Sequence, residues 1–245
     1  MIAVITAGGR VDGRFAEVLG TDVKALARVG GRALIDAALA AARGAGAGRV
    51  SVVGGVQIAE WCGSRVDEVI PEDAEGRENL RRAICSAVDL PLLLMTSDMP
   101  FVDAAALRDF VARARDADVA LPLANETAYD LAYPAAPPHV TAIGNERVAN
   151  GNVVFFAPGV GERVLPVAQR LFDARKSLWR MAALLGPALL VRYAARRLRI
   201  EDVERHAARI LGVRARAVRD CAPSLCFDVD TLEDYRYASE RAAGS

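Results

Sequence analysis

The order of segments along this sequence predicts an α/β fold, in which helices cover both faces of a mostly parallel β-sheet. Strand-like and helical segments alternate through the first half of the chain, as parallel strands joined by right-handed crossovers require. The run Leu92–Met95 consists of four apolar residues, which is typical of a central strand buried on both faces. The first apolar segment, Ile2–Ile5, leads into a loop with two glycines, whose backbone can approach a ligand closely.

Five strands and three helices are predicted as far as Leu123. Apolar runs and helical periodicity define them, while Gly44 ends the first helix and Gly54-Gly55 ends the second strand. The predicted strands are Ile2–Ile5, Arg49–Val53, Glu68–Ile70, Leu92–Met95 and Val119–Leu123, and the predicted helices are Ala33–Arg43, Glu78–Val88 and Ala104–Ala114.

After Leu123 the pattern becomes less regular. Residues 125–140 are predicted to be loop because they show no clean periodicity, and residues 160–211 to be helical in pieces. The residues that interrupt these segments are Pro134, Pro137 and Pro138 in the first, and Pro166 and Gly186-Pro187 in the second.

The rest of the second half alternates again between strand and helix. Thr231 is a suitable N-cap for a last helix, with Asp234 three residues further on. The predicted elements are the strand Val153–Ala157, the helix Ile200–Leu211, the edge strand Val213–Val218 and the closing helix Asp230–Ala242.

Composition narrows the functional classes. The chain has 245 residues, of which 53% are hydrophobic, and its 31 basic and 31 acidic residues give a formal net charge of zero. A general nucleic-acid binder normally has a basic excess, so this class is not expected. The start lacks a basic segment followed by a long apolar one, and no apolar run reaches the length of a membrane span, so we expect a cytoplasmic protein. Four cysteines without a CxxC pair and two distant histidines favour reduced thiols over a zinc site.

Three sequence features can carry chemistry. The loop Thr6–Arg10 offers backbone N–H groups and an arginine to a phosphate, or it is simply a tight turn. Lys24 either lies over a triphosphate or extends to solvent. Asp98 follows a buried strand, which suits a Mg²⁺ ligand or a helix-capping turn. Asp228 and Asp230, two residues apart, would point to one side of an extended segment, unless Asp230 merely starts the last helix.

Taken together, these features resemble the nucleotidyltransferase superfamily that includes molybdenum-cofactor guanylyltransferases, sugar-1-phosphate nucleotidylyltransferases and cytidylyltransferases. The resemblance covers essentially the whole chain and lies in three motifs: Val4–Gly9 continuing through Lys24 to Ile35, SDMPFV at 97–102, and FDVDTLEDY at 227–235. The family loop usually reads Gly-x-Gly-x-Arg followed by Pro-Lys. Here Val23 stands in place of that proline, and both Arg10 and Arg14 remain candidates for the signature arginine.

The resemblance implies a three-layer, Rossmann-like nucleotide-diphospho-sugar transferase fold formed by one domain, residues 1–245, with 125–212 as an acceptor-side insertion or lid. It implies transfer of a nucleoside monophosphate from GTP or CTP to a phosphate-bearing small molecule with release of pyrophosphate, in the manner of a molybdopterin guanylyltransferase or of a cytidylyltransferase. The implied site residues are Ala7, Gly8, Gly9, Lys24 and Asn79 for the nucleotide, Lys24 with Arg10 or Arg14 for catalysis, Asp98, Asp228 and Asp230 for Mg²⁺, and Asn150, Gly151, Asn152 and Lys176 for the acceptor.

Several alternatives stay open at this point. Asn79 can belong to a polar first helical turn, Asn150–Asn152 to a plain turn, and Lys176 to an exposed basic pair. A nucleotide-sugar-binding glycosyltransferase would carry Asp-x-Asp after the central strand, which the segment at Asp98 does not. A non-catalytic nucleotide-binding regulator would not need all the charged positions. The amphipathic stretch Trp179–Arg199 suits a lid or a homodimer surface better than an interfacial membrane segment.

Overall fold

The computed structural model describes residues 1–174 and 177–244, and only the backbone of residues 178–182 and 185. Nine strands form the main sheet in the order β5-β4-β1-β6-β10-β7-β9-β8, with β11 beside β7, while β2 and β3 form a small hairpin. The strands are β1 (Ile2–Thr6), β2 (Arg28–Val29), β3 (Arg32–Ala33), β4 (Arg49–Gly54), β5 (Glu68–Pro71), β6 (Leu92–Thr96), β7 (Val119–Asn125), β8 (Val140–Ile143), β9 (Glu146–Asn150), β10 (Val153–Phe156) and β11 (Ala215–Val218).

The described residues also form ten helices. They are α1 (Gly13–Leu19), α2 (Leu34–Gly44), α3 (Val56–Cys62), α4 (Gly76–Cys85), α5 (Ala104–Ala114), α6 (Glu126–Ala132), α7 (Gly161–Ala174), α8 (Leu178–Ala194), α9 (Ile200–Leu211) and α10 (Leu232–Ala243). In that part of the chain no helix is long and apolar enough to cross a membrane.

The sheet separates two layers of helices, as the sequence predicts. Successive side chains of a strand point to opposite faces, so Ala3 and Ile5 of β1 belong to one core cluster with α2 and α5, whereas Ile2 and Val4 belong to a second with α4 and α7. Strands β5, β4, β1 and β6 pair in parallel, and β10 runs antiparallel between β6 and β7. The predicted three-layer, mostly parallel α/β fold is therefore confirmed.

The prediction of loop for 125–140 is wrong. Residues 126–132 form α6, because the side chain of Asn125 accepts a hydrogen bond from the Ala128 N–H at 2.8 Å and caps the helix, while Tyr129 buries its ring in the core. Val140–Ile143 then forms β8 against β9. The prolines that suggested a loop all lie between these two elements, where they end the helix without preventing either.

Of the two interruptions predicted at prolines in this helical region, the one at Gly186-Pro187 is present and the one at Pro166 is not. Helix α7 continues through Pro166. Gly186, in contrast, has φ of 74° and ψ of 162°, so α8 is two helical pieces joined at a bend, as predicted for Gly186-Pro187. The late strand β11 pairs with β7 at the border of the sheet, and the closing helix α10 begins with the predicted capping box of Thr231 and Asp234.

Candidate active site at the carboxyl edge of the sheet

The glycine loop and the Asp98 loop lie side by side because their strands are neighbours in register. Thr6, the last residue of β1, pairs with Thr96, the last residue of β6. The Ser97 N–H then donates to the Thr6 carbonyl at 3.1 Å, which continues the pairing one step beyond the strands. Ligands of open α/β sheets bind at this edge, so the fold brings two sequence-predicted site segments to the expected place.

The second pair of aspartates reaches the same edge from the far end of the sequence. The Val229 N–H donates to the Asp98 carbonyl at 3.0 Å, which ties the segment before α10 to the loop after β6. Asp98, Asp228 and Asp230 thereby present carboxylate oxygens that all lie within 4.8 Å of one another. Hard oxygen ligands clustered in this way are the donor set that Mg²⁺ and Mn²⁺ prefer.

Lys24 is the cation at the centre of this cluster. Its Nζ lies 2.5 Å from Asp98 Oδ2 and 2.7 Å from Asp230 Oδ1. The Lys24 N–H donates to the Gly9 carbonyl at 3.1 Å, so the lysine is also fastened to the glycine loop. Burial alone would lower the pKa of Lys24, but the carboxylates of Asp98 and Asp230 outweigh it and raise the pKa above its usual value of 10.5. The lysine is therefore a fixed positive charge at neutral pH.

A cavity of about 450 Å³ opens between these loops. Lys24, Gly8, Gly9 and Asp98 line it. Three buried polar atoms in its lining have no hydrogen-bond partner, although such atoms are costly to leave unpaired: Thr96 Oγ1, Asp98 Oδ1 and Asn152 Nδ2. Unpartnered donors and acceptors around one cavity indicate a polar ligand site.

The glycine loop has a backbone that a ligand can approach closely. Within the described residues, the N–H groups of Gly8 and Gly9 meet no acceptor, whereas the Ala7 N–H is used by β4, donating to the Val53 carbonyl at 2.8 Å. A Cβ added to Gly8 would lie 2.6 Å from Glu72 Oε2, so only glycine fits there without displacing that carboxylate. Glu72 in turn pairs with Arg10, and this contact holds the loop against the end of β5.

His139 connects the aspartate cluster to the last helix, α10. Its Nε2 lies 2.9 Å from Asp234 Oδ1 and its Nδ1 lies 3.5 Å from Asp228 Oδ1. Hydrogen bonds to these two carboxylates raise the pKa of His139 to about 9. Asp234 is 2% exposed and accepts from the N–H groups of Asp230 and Thr231 with its other oxygen. Burial and the neighbouring carboxylates raise the pKa of Asp228, against the effect of His139.

Comparisons with known proteins identify the family of this chain. The family model described as the MobA-like NTP transferase domain matches residues 3–206. The chain belongs to this family. No curated protein matches the sequence significantly.

Solved structures show the same fold along the whole chain. The chain is similar to a hypothetical transferase from Thermus thermophilus, with 28% identity, a TM-score of 0.85, and 96% of this chain and 98% of that chain covered. It resembles the 2-C-methyl-D-erythritol 4-phosphate cytidylyltransferase from the same species at 18% identity and a TM-score of 0.55, covering 98% of each chain. A protein from Mycobacterium tuberculosis H37Rv, solved as a manganese complex, is 20% identical with a TM-score of 0.51, covering 98% of this chain and 97% of that one.

Of the other residues predicted for the site, some line the cavity and others lie outside it. Asn79 lines the cavity, but both ends of its amide are bonded to the backbone of Asp73, at 2.6 Å to the N–H and 2.9 Å to the carbonyl. Gly151 and Asn152 line the same cavity, whereas Asn150 lies outside it. Arg14 is exposed at the start of α1, and Lys176 lies outside the described residues.

Sequence reasoning missed three residues that organise the site. Glu72, His139 and Asp234 contact the glycine loop or the aspartate cluster. Glu72 and His139 belong to none of the three sequence motifs, and Asp234 lies in the third but is predicted only to cap the last helix. The paired residues are far apart along the chain. Arg10 and Glu72 are separated by 62 positions, His139 and Asp228 by 89, and His139 and Asp234 by 95. Only the sheet topology brings them together.

Proposed function

We propose that this MobA-like protein is a divalent-metal-dependent nucleotidyltransferase. It transfers a nucleoside monophosphate from GTP or CTP to a phosphate-bearing small molecule and releases pyrophosphate. The observation that carries the proposal is the position of Lys24, which joins the glycine loop to two of three clustered carboxylates beside a cavity with unpartnered polar atoms. Phosphates and a divalent cation are the ligands that this combination of charges suits.

The acidic cluster fits a metal ion. Asp98 Oδ1 is buried without a partner, and Asp98, Asp228 and Asp230 each have a carboxylate oxygen within 4.8 Å of one from the other two. Asp98, Asp228 and Asp230 would hold the ion, which we propose to be Mg²⁺, with Mn²⁺ as a substitute. When bound, it would supply positive charge to the phosphate oxygens of the nucleotide.

The chain's own residues would do the remaining work by positioning. The free N–H groups of Gly8 and Gly9 would donate to phosphate oxygens, and Lys24 would turn from the carboxylates to the triphosphate when the metal binds. Arg10 or Arg14 would stabilise negative charge developing on the leaving pyrophosphate. Arg10 needs to release Glu72 for this role, whereas Arg14 is already exposed.

The acceptor is expected on the side of residues 125–212. This segment contributes Gly151 and Asn152 to the cavity, and the amide Nδ2 of Asn152 is an unpartnered donor for an acceptor phosphate. A phosphate oxygen of the acceptor would attack the α-phosphorus of the triphosphate, the bond to the β-phosphate would break, and pyrophosphate would leave. Guanylyl transfer to a molybdopterin-type phosphate and cytidylyl transfer to a small phosphorylated metabolite are the two candidate reactions.

Nucleotide binding tests the proposal directly. Isothermal titration of ATP, CTP, GTP and UTP, each with Mg²⁺ or EDTA, is expected to show metal-dependent binding of one or two nucleotides. Asp98→Asn is expected to abolish the metal-dependent nucleotide binding. Asp116 is an exposed aspartate outside the cavity, so Asp116→Asn is expected to bind nucleotide as the wild type does. Absence of binding by every nucleotide would contradict the proposed function, and metal-dependent binding that survives in Asp98→Asn would contradict the assigned ligand.

A further inference from the structure

A second cavity, of about 410 Å³, lies beside the first one. It lies between the sheet and the helices α7 and α9, and its lining is almost wholly apolar, with Val154 from β10, Val164 and Leu171 from α7, and Val203 and Leu211 from α9. Its volume falls within the range of about 300–1,000 Å³ that is usual for small-molecule sites. We call it the apolar cavity.

The polar side chains in this lining do not make it a water site. Among its described lining residues only Asn150, Glu204 and Arg216 carry polar side-chain groups. Glu204 directs Oε1 to the Ala217 N–H of β11 at 2.7 Å, so this carboxylate already has a partner at the sheet. A buried water needs two to four polar partners, which an aliphatic lining does not offer. An apolar group suits the cavity better.

The apolar cavity adjoins the cavity that Lys24 and Asp98 line. Leu80, Leu94, Val154 and Phe172 line both of them. Lys24 and Asp98 line the first cavity, whereas the second is lined mainly by apolar side chains. A single ligand that occupies both cavities must therefore be an amphiphile with a phosphate-type head and an apolar body.

We propose that the acceptor is a phosphate monoester of an apolar alcohol, whose hydrocarbon chain lies in the apolar cavity while its phosphate lies beside Lys24. This proposal rests on the proposed function and names the substrate class of the same site. An ionised oxygen of the monoester attacks the α-phosphorus of the nucleoside triphosphate and forms a new P–O bond. The bond from the α-phosphorus to the bridging oxygen of the β-phosphate breaks, pyrophosphate leaves, and the product is a nucleoside diphosphate ester of the alcohol.

Residues 125–212 contribute the strands β8, β9 and β10 to the sheet and also supply much of the apolar cavity's lining. Helices α7 and α9 both belong to this segment and form the outer wall of the apolar cavity. An acceptor with a small polar body would need neither wall. An apolar chain needs both, because each methylene that it removes from water favours binding by about fourfold.

Binding of alkyl phosphates of increasing length tests the inference. Butyl, octyl and dodecyl phosphate, each below its micelle concentration, are titrated calorimetrically into the wild-type protein with and without CTP or GTP and Mg²⁺. We expect the affinity to rise by up to about fourfold per added methylene until the cavity is filled. With the nucleotide that binds, octyl phosphate is expected to release pyrophosphate faster than butyl phosphate does.

Two cavity-filling variants and one control variant test whether the hydrocarbon chain of the ligand lies in the apolar cavity. Ala207→Phe on α9 and Ala168→Phe on α7 place a ring in the apolar cavity and are expected to reduce the advantage of octyl over butyl phosphate to less than about threefold, with nucleotide binding unchanged. Arg209→Phe, on the exposed side of α9 and outside the cavity lining, is expected to keep the wild-type advantage.

The outcomes separate the two proposals. If no nucleotide binds to the wild type with Mg²⁺ or Mn²⁺, the proposed function fails. If a nucleotide binds but the affinity for alkyl phosphates does not rise with chain length, only the present inference fails. It also fails if both filling variants bind the nucleotide and retain the full chain-length gain, because the hydrocarbon would then lie elsewhere.

Discussion

Replacement of Lys24 by methionine separates its charge from its packing. Methionine keeps an unbranched apolar stem but removes the cation that lies between Asp98 and Asp230. The side chains of Lys24 and Asp98 are only 14% and 13% exposed, whereas that of Asp230 is 67% exposed, so the contact with Asp98 dominates. Breaking a buried ion pair from one side costs about 3–5 kcal/mol, while a surface pair contributes about 0–1 kcal/mol. Because this pair is slightly exposed, we expect the free energy of unfolding to fall by about 3 kcal/mol.

Thermal unfolding in EDTA, followed by circular dichroism at pH 7.5, measures this loss. For a chain of this size 1 kcal/mol corresponds to about 2–4 °C, so the Tm of Lys24→Met is expected to fall by about 6–12 °C. The raised pKa of Lys24 means that its contribution is fully present below pH 10.5 and is lost as the pH rises through the folded-state value, so pH 7.5 lies within the range where it counts. Arg147→Met, which breaks an exposed pair with Glu126, is the matched control and is expected to shift Tm by less than about 3 °C.

Addition of a divalent cation provides the second half of the test. Without the lysine, Asp98 and Asp230 lose their internal counter-charge while Asp228 keeps His139, so Mg²⁺ or Mn²⁺ should raise the Tm of Lys24→Met more than that of the wild type. A cation at a hundred times its Kd stabilises the folded state by about 2.7 kcal/mol, which would restore most of the loss. A Tm in EDTA within about 2 °C of wild type, or no preferential recovery with either cation, would refute this reasoning.

Three further predictions concern residues around the site. Gly151→Ala is expected to lower the free energy of unfolding by about 2 kcal/mol in urea, because its Cβ would lie 2.3 Å from a proline ring carbon of β7, whereas Gly48→Ala meets nothing closer than 4.0 Å and should be nearly neutral. Asp234→Ala is expected to cost about 2–3 kcal/mol in the same assay and to weaken stabilisation by Mn²⁺, since this carboxylate holds the backbone of the second aspartate segment. Iodoacetamide at pH 8.5 is expected to modify Cys85 in the folded protein much faster than Cys226, because burial raises the pKa of the Cys226 thiol to about 12; mass spectrometry reads out the order.

Each of these has an outcome that would contradict it. Equal stability of the two glycine variants would show that β7 moves aside without cost. If the Asp234→Ala protein is as stable as wild type and responds equally to Mn²⁺, the Asp234 carboxylate does not hold the second aspartate segment in place. Rapid labelling of Cys226 in the native protein would mean that the segment before α10 opens readily.

Local residue patterns determined much of this molecule. The four apolar residues Leu92–Met95 have no polar side chain to expose, so they form a central strand, and Asp98 follows it at the carboxyl edge. Thr231 and Asp234 cap α10 through atoms only three residues apart. Such features depend on neighbours in the sequence, and they could be predicted because backbone periodicity and capping chemistry are local.

The predictions that failed concern two helices that are stabilised by buried side chains, which the local sequence pattern does not reveal. α6 was missed because its three nearby prolines suggested a loop, although the buried ring of Tyr129 anchors the helix to the core. α7 was predicted to break at Pro166, but its apolar side chains Val164 and Val167 pack and are buried, and this packing offsets the lost backbone hydrogen bond. In both cases burial in the tertiary structure outweighed a backbone preference.

The sequence by itself determined the residue types of the site and the edge at which they gather, because a strand order of β-α-β units places loops after parallel strands together. The tertiary structure alone decided how those residues pair. It placed Lys24 between Asp98 and Asp230, His139 between Asp228 and Asp234, and an apolar cavity next to the polar one. These contacts join residues up to 206 positions apart, and the physical reason they could not be read from sequence is that charge pairing and burial depend on distance in space.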